Sequence, residues 1–342
     1  MAQSPVVLLR VVRIARMSDQ PGGLGRVLVT GCAGFIGSTL AEALFASGTH
    51  VVGIDALTDS YAAELKRRNL AALLGQTGFD FHEADLLEVD LPALLDGIDV
   101  VFHLAGLPGV RTSWGDQFVD YERLNVLSTQ RLLEAARHAP VRRLVYSSSS
   151  SVYGKAERFP VLETDAPAPL SPYGVTKLAA EHLCTLYAAN FGVPTVSLRY
   201  FTVYGPRQRP DMAIHRLIEV ALRGGQFRVF GTGEQRRDFT YVDDAVSANL
   251  LAASADLAPG TVLNIGGGSD SSLNEIIAIV ERATGQPVER ISEAGSPGDP
   301  FRTGADVARA RELLSWHPGT SMTAGIEAQV EWHRRRSLTT PA

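Results

Sequence analysis

Tyr173 and Lys177 stand at i and i+4 in Tyr-Gly-Val-Thr-Lys, a spacing that sets both side chains on one face of a helix. An ammonium beside a phenol favours the phenolate, so the pair predicts a tyrosine base working below the ordinary phenol range. Upstream, residues 147–151 are all serine, a run that makes a poor strand and a poor helix but whose hydroxyls suit the lining of an active site. Downstream, Arg-Tyr-Phe-Thr-Val-Tyr-Gly-Pro-Arg-Gln-Arg-Pro-Asp-Met over 199–212 places Thr202 and Arg209 where a substrate anion can be held. These groups suit proton transfer at a hydroxyl-bearing carbon of an anionic substrate.

The elements that must position them alternate at βαβ spacing. Strands are expected at 26–30, 51–54, 79–83, 100–104, 143–147 and 194–199, with helices at 38–47, 62–74, 125–138 and 173–190 between them. The rhythm predicts an α/β fold, a Rossmann-type parallel sheet flanked by helices. After residue 199 the rhythm loosens: a helix at 212–223, strands at 227–230 and 262–265, a helix at 273–284 capped by Ser271 or Ser272, and a last helix near 305–314. This gives an N-terminal extension over 1–24, a dinucleotide-binding domain with the catalytic residues over 25–199, a smaller substrate-binding lobe mainly within 200–333, and a loose tail over 334–342.

Between the first strand and first helix lies Gly31-Cys32-Ala33-Gly34-Phe35-Ile36-Gly37, a GxxGxxG turn. Its glycines permit a tight turn and close backbone approach, and the helix N-terminus offers amides to a pyrophosphate. Asp55, at the tip of the second strand, is placed to accept hydrogen bonds from an adenosine ribose, and its charge repels an added 2′-phosphate, which favours NAD over NADP. Asp85 and Leu86 follow the third strand, where an adenine edge sits. Leu104 and Ala105 follow the fourth and offer small surfaces to the cofactor. Arg111 is a further cation near the sheet edge; diphosphate, carboxylate or neither remain open as its partner.

With 342 residues and 45% hydrophobic content the chain can bury a large core, and a net charge of −5 argues against nonspecific nucleic-acid binding. Residues 5–17 are apolar but broken by three arginines, too short and too charged to span a bilayer, so no membrane role is expected. The two cysteines, Cys32 and Cys184, lie in no metal-ligand cluster and fit a reducing cytoplasm.

Taken in order, Gly31 to Gly37, Asp55, Asp85-Leu86, His103 to Gly106, Tyr146 to Gly154, Tyr173 to Lys177, Arg199 to Gly205 and Arg237 to Asp244 resemble the extended short-chain dehydrogenase/reductase family, in its NAD-dependent epimerase/dehydratase group. The resemblance implies Ser149 as the catalytic hydroxyl, four residues before the Tyr of Val-Tyr-Gly, with Tyr173 as base and Lys177 as its electrostatic partner. It adds Phe35, Ile36, Tyr173, Lys177 and Tyr200 to the cofactor-binding set. It also implies a sugar-nucleotide diphosphate on Arg237, a uracil against Phe230, a ribose on Asp299, and a homodimer joined through helices near 115–138 and 173–190. The run from Phe201 to Met212 is similar to that of UDP-glucuronate 4-epimerases, where the residues matching Thr202, Arg209, Ser150 and Ser151 hold the sugar carboxylate. The implied reaction is 4-epimerisation of UDP-glucuronate through a 4-keto intermediate. Epimerisation of UDP-glucose or a UDP-N-acetylhexosamine comes second and decarboxylation of UDP-glucuronate third, since the serine segment lacks the acidic residues of decarboxylases and dehydratases. An NAD-sensing protein without turnover is the alternative outside enzymes.

Overall fold

The computed structural model describes residues 23–294 and 300–339, so nearly all of the 1–24 extension, and Asp299, lie outside the described residues. Six parallel strands, β1 (Arg26–Thr30), β2 (His50–Asp55), β3 (Phe79–Glu83), β4 (Val100–His103), β5 (Arg143–Ser149) and β6 (Thr195–Tyr200), form the expected sheet. The short strands β7 (Val203–Tyr204), β8 (Gln226–Phe230), β9 (Arg236–Arg237) and β10 (Thr240–Tyr241) follow, and β11 (Thr261–Ile265) returns to pair with β6. The sheet order is β11-β6-β5-β4-β1-β2-β3, parallel throughout. Strand order reverses between β1 and β4, and the crevice above their C-terminal ends is where such sheets bind ligands.

Helices α1 (Phe35–Ala46), α2 (Ala63–Asn69), α3 (Leu91–Leu94), α4 (Phe118–Tyr121), α5 (Ser128–Ala136) and α6 (Pro172–Phe191) belong to the first half of the chain. α7 (Ala213–Arg223), α8 (Val242–Ser254), α9 (Leu273–Thr284), α10 (Ala308–Leu314) and α11 (Met322–Thr339) follow. Leu95, Leu132, Leu133, Ala180 and Cys184 pack with Leu28 and Val101 on one face of the sheet, and Leu40, Leu44, Val242, Ala245 and Trp316 pack with Val27 and Val196 on the other. The inner strands are buried on both faces, which is why β1 and β4 are largely apolar, while β5 and β6 also bury Ser148, Ser197 and Arg199.

In the smaller lobe β8 pairs in parallel with β13 (Glu289–Glu293), and β9 pairs antiparallel with β12 (Ser271–Ser272). Ser272 rather than Ser271 caps α9: its hydroxyl accepts from Glu275 N at 3.1 Å, and Glu275 accepts from Ser272 N at 2.7 Å.

Several expectations need correction. The serine run is not excluded from regular structure, since Ser147 to Ser149 extend β5 and Ser150–Val152 make a 3₁₀ turn. The helix expected at 125–138 begins at Phe118 and passes through a π turn (Glu122–Leu127), while the one expected at 62–74 ends at Asn69. The helix expected near 305–314 is not the last, because α11 runs through the supposed tail. Its buried face is Ile326, Gln329, Val330 and His333, at helical spacing but half polar, so no apolar stripe announces it. α8 was also missed. Among the described residues, no helix is long and apolar enough to cross a membrane.

Candidate active site

The glycine turn is shaped by steric necessity. A Cβ on Gly37 would lie 2.1 Å from Gly31 O, and one on Gly31, at φ +68°, would lie 2.8 Å from Ala105 N. Only glycine lets α1 start this close to the turn and lets the turn lie against the end of β4. Asp55 braces it, accepting from Ala33 N at 3.0 Å and Leu57 N at 2.8 Å. Phe35 and Gly37 are buried in the first turn of α1, with Gly34 at its N-cap. Asp85 accepts from Leu87 N at 2.9 Å and pairs with Arg123 at 3.3 Å, while Leu86 is buried. These features fit a dinucleotide: a backbone cradle that side chains would fill, facing an acceptor at the next strand tip.

The chemical groups meet across β5, β6 and α6. Ser149 pairs in register with Tyr200 at the ends of their strands. Its Oγ accepts from Ser151 N at 3.1 Å, which turns Ser150 and Ser151 back over the strand end. α6 opens against that turn, capped by Ser171, whose Oγ accepts from Gly174 N at 3.1 Å. A Cβ on Gly174 would lie 2.6 Å from Ser151 O, so the glycine inside Tyr-Gly-Val-Thr-Lys is what brings Tyr173 beside the serines.

Tyr173 packs edge-on against Tyr121, with ring centroids 6.2 Å apart. Burial pushes its phenol up, opposed by the nearby Ser149 hydroxyl and the charge of Arg209. This corrects the expectation that Lys177 brings the phenol below its ordinary value. Burial instead pushes the Lys177 ammonium itself down to about 8, against the pull of Cys184 and Glu181. The ammonium lies 4.5 Å from the centroid of the Tyr146 ring.

Arg209 is four-fifths buried and forms a two-pronged ion pair with Asp211, Nε to Oδ1 at 3.0 Å and Nη2 to Oδ2 at 2.9 Å. Thr202 is half-buried and its carbonyl accepts from Thr240 N at 3.0 Å. Arg111 lies over the Phe230 ring at 4.0 Å, so two residues 119 positions apart in sequence are in contact. Arg237 donates to Arg236 O at 2.8 Å and Phe301 O at 3.1 Å. The Tyr200 hydroxyl donates to Asn249 at 2.9 Å in the core.

Sequence reasoning missed three supports. Asn125, in the π turn, accepts from Leu107 N at 2.6 Å and donates to Leu107 O and to Thr176, tying the segment after β4 to α6. Glu181, one turn beyond Lys177, is buried with Arg199, the guanidinium Nε donating at 3.0 Å and Nη2 at 2.6 Å, and it also accepts from Ser148 at 2.6 Å. His103 bridges Thr30 at 2.8 Å and Thr129 at 2.9 Å, held neutral by burial. The i+8 carboxylate after Tyr173 was a readable signal for Glu181; the other two depend on long-range contacts.

A family model described as the NAD dependent epimerase/dehydratase family matches residues 27–266. The chain is 44% identical to a Bacillus subtilis protein described as an uncharacterized UDP-glucose epimerase, over 90% of this chain and 97% of that one. It is 38% identical to a UDP-glucuronate 4-epimerase of Thermodesulfobacterium geofontis, over 91% and 97%. A crystal structure of UDP-glucuronic acid 4-epimerase from Bacillus cereus with UDP-glucuronic acid and NAD superimposes with a TM-score of 0.88 at 46% identity, covering 91% of this chain and 99% of that one. Sequence, sheet order and glycine turn therefore agree, and the chain belongs to the NAD dependent epimerase/dehydratase family.

Proposed function

We propose that the protein interconverts UDP-glucuronate and UDP-galacturonate by NAD-dependent epimerisation at C4. The observation that carries this reading is the packing of the first turn of α6, which bears Tyr173, against the serine turn after β5 that bears Ser149, with the charge of Arg209 acting on the phenol: a base, a hydroxyl and a cation at one site. The 46% identical relative solved with UDP-glucuronic acid and NAD supports the same substrate and cofactor.

Gly31, Gly34, Phe35, Ile36 and Gly37 would hold the pyrophosphate, Asp55 the adenosine ribose, Asp85 and Leu86 the adenine, and Leu104, Ala105, Tyr173, Lys177 and Tyr200 the nicotinamide end. When bound, the nicotinamide supplies the acceptor for the C4 hydride and later its donor. Tyr173 takes the proton of the sugar 4-hydroxyl, Ser149 steadies the developing oxyanion, and the Lys177 ammonium favours the phenolate. Once the 4-keto sugar has turned its other face toward the hydride donor, C4 regains its hydrogen on that face and Tyr173 returns the proton to the C4 oxygen, so configuration inverts without net redox change.

The uronate intermediate is a β-keto acid. If its C5–C6 bond aligns with the carbonyl, CO2 leaves, the bonding pair passes to the C4 oxygen as an enolate, and C5 is then protonated. Ser150, Ser151, Thr202 and Arg209 are assigned to hold the carboxylate out of that alignment. Asp211 takes the Nε–Nη2 edge of the Arg209 fork, so the substrate meets the Nη1 end or displaces Asp211. Phe230, with Arg111 over its ring, is assigned to the uracil, and Arg237 to the diphosphate.

A homodimer is part of this proposal. Val119 and Leu127 on the α4–α5 helix, and Val175, Leu186 and Phe191 on α6, are exposed apolar side chains on the two helices expected to join subunits. Both cysteines are buried and free, which suits a reducing cytoplasm.

The test is product analysis. UDP-glucuronate should yield UDP-galacturonate faster than UDP-glucose yields UDP-galactose; the reverse order would favour a neutral-sugar epimerase, the activity in the Bacillus subtilis relative's description. Arg209→Ala should raise KM for the uronate about tenfold or more, the scale of a charge-assisted hydrogen bond, and raise the share of pentose product.

A further inference from the structure

Arg207 has φ +69°, a left-handed conformation that a non-glycine residue keeps only where its surroundings over-determine it. Gln208 supplies much of that determination. It is buried, its Oε1 accepts from His215 N and Gln329 Nε2, both at 3.0 Å, and its Nε2 donates to Val203 O at 3.1 Å. Its carbonyl accepts from His215 Nδ1 at 2.6 Å, and Gln329 Oε1 accepts from Gly205 N at 3.0 Å. With Gln208 turned inward, the neighbouring arginines leave the loop separately. Arg209 lies where its charge reaches Tyr173. Arg207 reaches back to α1, donating to Glu42 and, at 3.3 Å, to the buried Ser38.

We infer that Arg207 is a positioning residue: its tie to Glu42 and Ser38 fixes the direction of Arg209 relative to α1, the helix whose N-terminus carries the cofactor turn. The grip on the sugar carboxylate is thereby registered against the cofactor, the relation that decides whether the 4-keto acid keeps its CO2. A glycine would adopt the left-handed conformation without strain, yet would carry no tie, so strain and tie can be tested apart. This inference rests on the uronate reading above.

The test compares Arg207→Gly, Arg207→Lys and Glu42→Gln with Arg209→Ala in the full chain, reading the pentose-to-uronate product ratio, KM for UDP-glucuronate, UDP affinity and thermal midpoint. Arg207→Gly and Glu42→Gln are expected to raise the ratio and KM about three- to tenfold, with UDP affinity within about twofold and the midpoint near wild type. Arg207→Lys, which keeps the charge, should recover much of the loss. A merely structural role would lower midpoint and UDP affinity together and leave the ratio alone, and that result overturns the inference. So does an unchanged ratio in Arg207→Gly and Glu42→Gln when Arg209→Ala raises it, in which case the uronate reading stands. If Arg209→Ala itself leaves the ratio and KM unaltered, the carboxylate grip fails and this inference fails with it.

Discussion

The glycine turn at Gly31–Gly37, proposed to hold the cofactor, and the Arg207–Arg209 loop, proposed to hold the sugar carboxylate, are built by opposite means. The turn is held by backbone: Gly31 N donates to Ile54 O at 2.8 Å, and its close approaches leave no room for a Cβ. The loop is held by side chains: its own Gln208, which donates to Val203 O on β7, and those of α7, α1 and α11, with Gln329 reaching Gln208 across 121 residues. The cofactor end is therefore a local property of a short sequence, whereas the substrate end is assembled by the finished fold. That suits a family in which one cofactor meets many sugars.

The largest effect should fall where the two constructions meet. Tyr173→Phe keeps the ring that packs against Tyr121 but removes the phenol oxygen assigned as the base, and should lower kcat by about a hundredfold or more with KM little changed. Steady-state kinetics on UDP-glucuronate check this, and a kcat within a fewfold of wild type would remove Tyr173 from the chemistry.

The side-chain construction should be the acid-labile one. Burial, with the charge of His333 adding, pushes His215 down to about 4 from its ordinary 6.5. A depressed imidazole contributes stability that is full above the ordinary value and lost as pH falls toward the folded one, so the loss accrues between about pH 6.5 and 4 and totals on the order of 3 kcal/mol. Glu219 faces the same cluster. Burial raises it, but His333 at 2.6 Å, Arg336 at 2.8 Å and Arg223 hold it down to about 2, so its contribution also falls with acid, below pH 4.5. Urea midpoints at pH 7, 5.5 and 4 should drop less steeply in His215→Asn than in wild type; equal slopes would remove His215 as the source.

At the backbone construction, Gly37→Ala would set a methyl 2.1 Å from Gly31 O and should cost about 1–3 kcal/mol, together with most of the NAD affinity. Calorimetric titration with NAD and the thermal midpoint measure the two losses. A variant that binds NAD normally would show that the turn relaxes more freely than its spacing allows.

This contrast also explains what could be read from the sequence. Strands β1 to β6, the glycine turn and the Tyr173–Lys177 face were legible because their signals lie within a few residues of one another. α11 was not, since Gln329 and His333 take up half of its buried face, and they are buried for distant partners, Gln208 for the one and Glu219 for the other. The direction of the Tyr173 shift was missed for a related reason: residue spacing reports a neighbouring charge but not the depth of burial that outweighs it. Arg111 and Phe230 were each singled out, yet only the fold shows that they stack.

The smallest effect belongs to a local signal placed in the substrate half. Ser272 caps α9 reciprocally with Glu275, and removing the cap with Ser272→Ala should cost about 1 kcal/mol of stability. Ser272 also pairs in register with Arg236, and Ser271 with Arg237, the residue assigned to the diphosphate. If the substrate half depends on dispersed side-chain ties rather than on any one local cap, the variant should melt a few degrees lower while KM for UDP-glucuronate stays within about twofold. β9 would still be held by the antiparallel pair and by Arg236 bonded to Asp270 at 3.0 Å. A KM rise beyond tenfold at an unchanged midpoint would mean that this cap positions Arg237 directly, and the line between local and dispersed construction would then run through the lobe rather than between the halves.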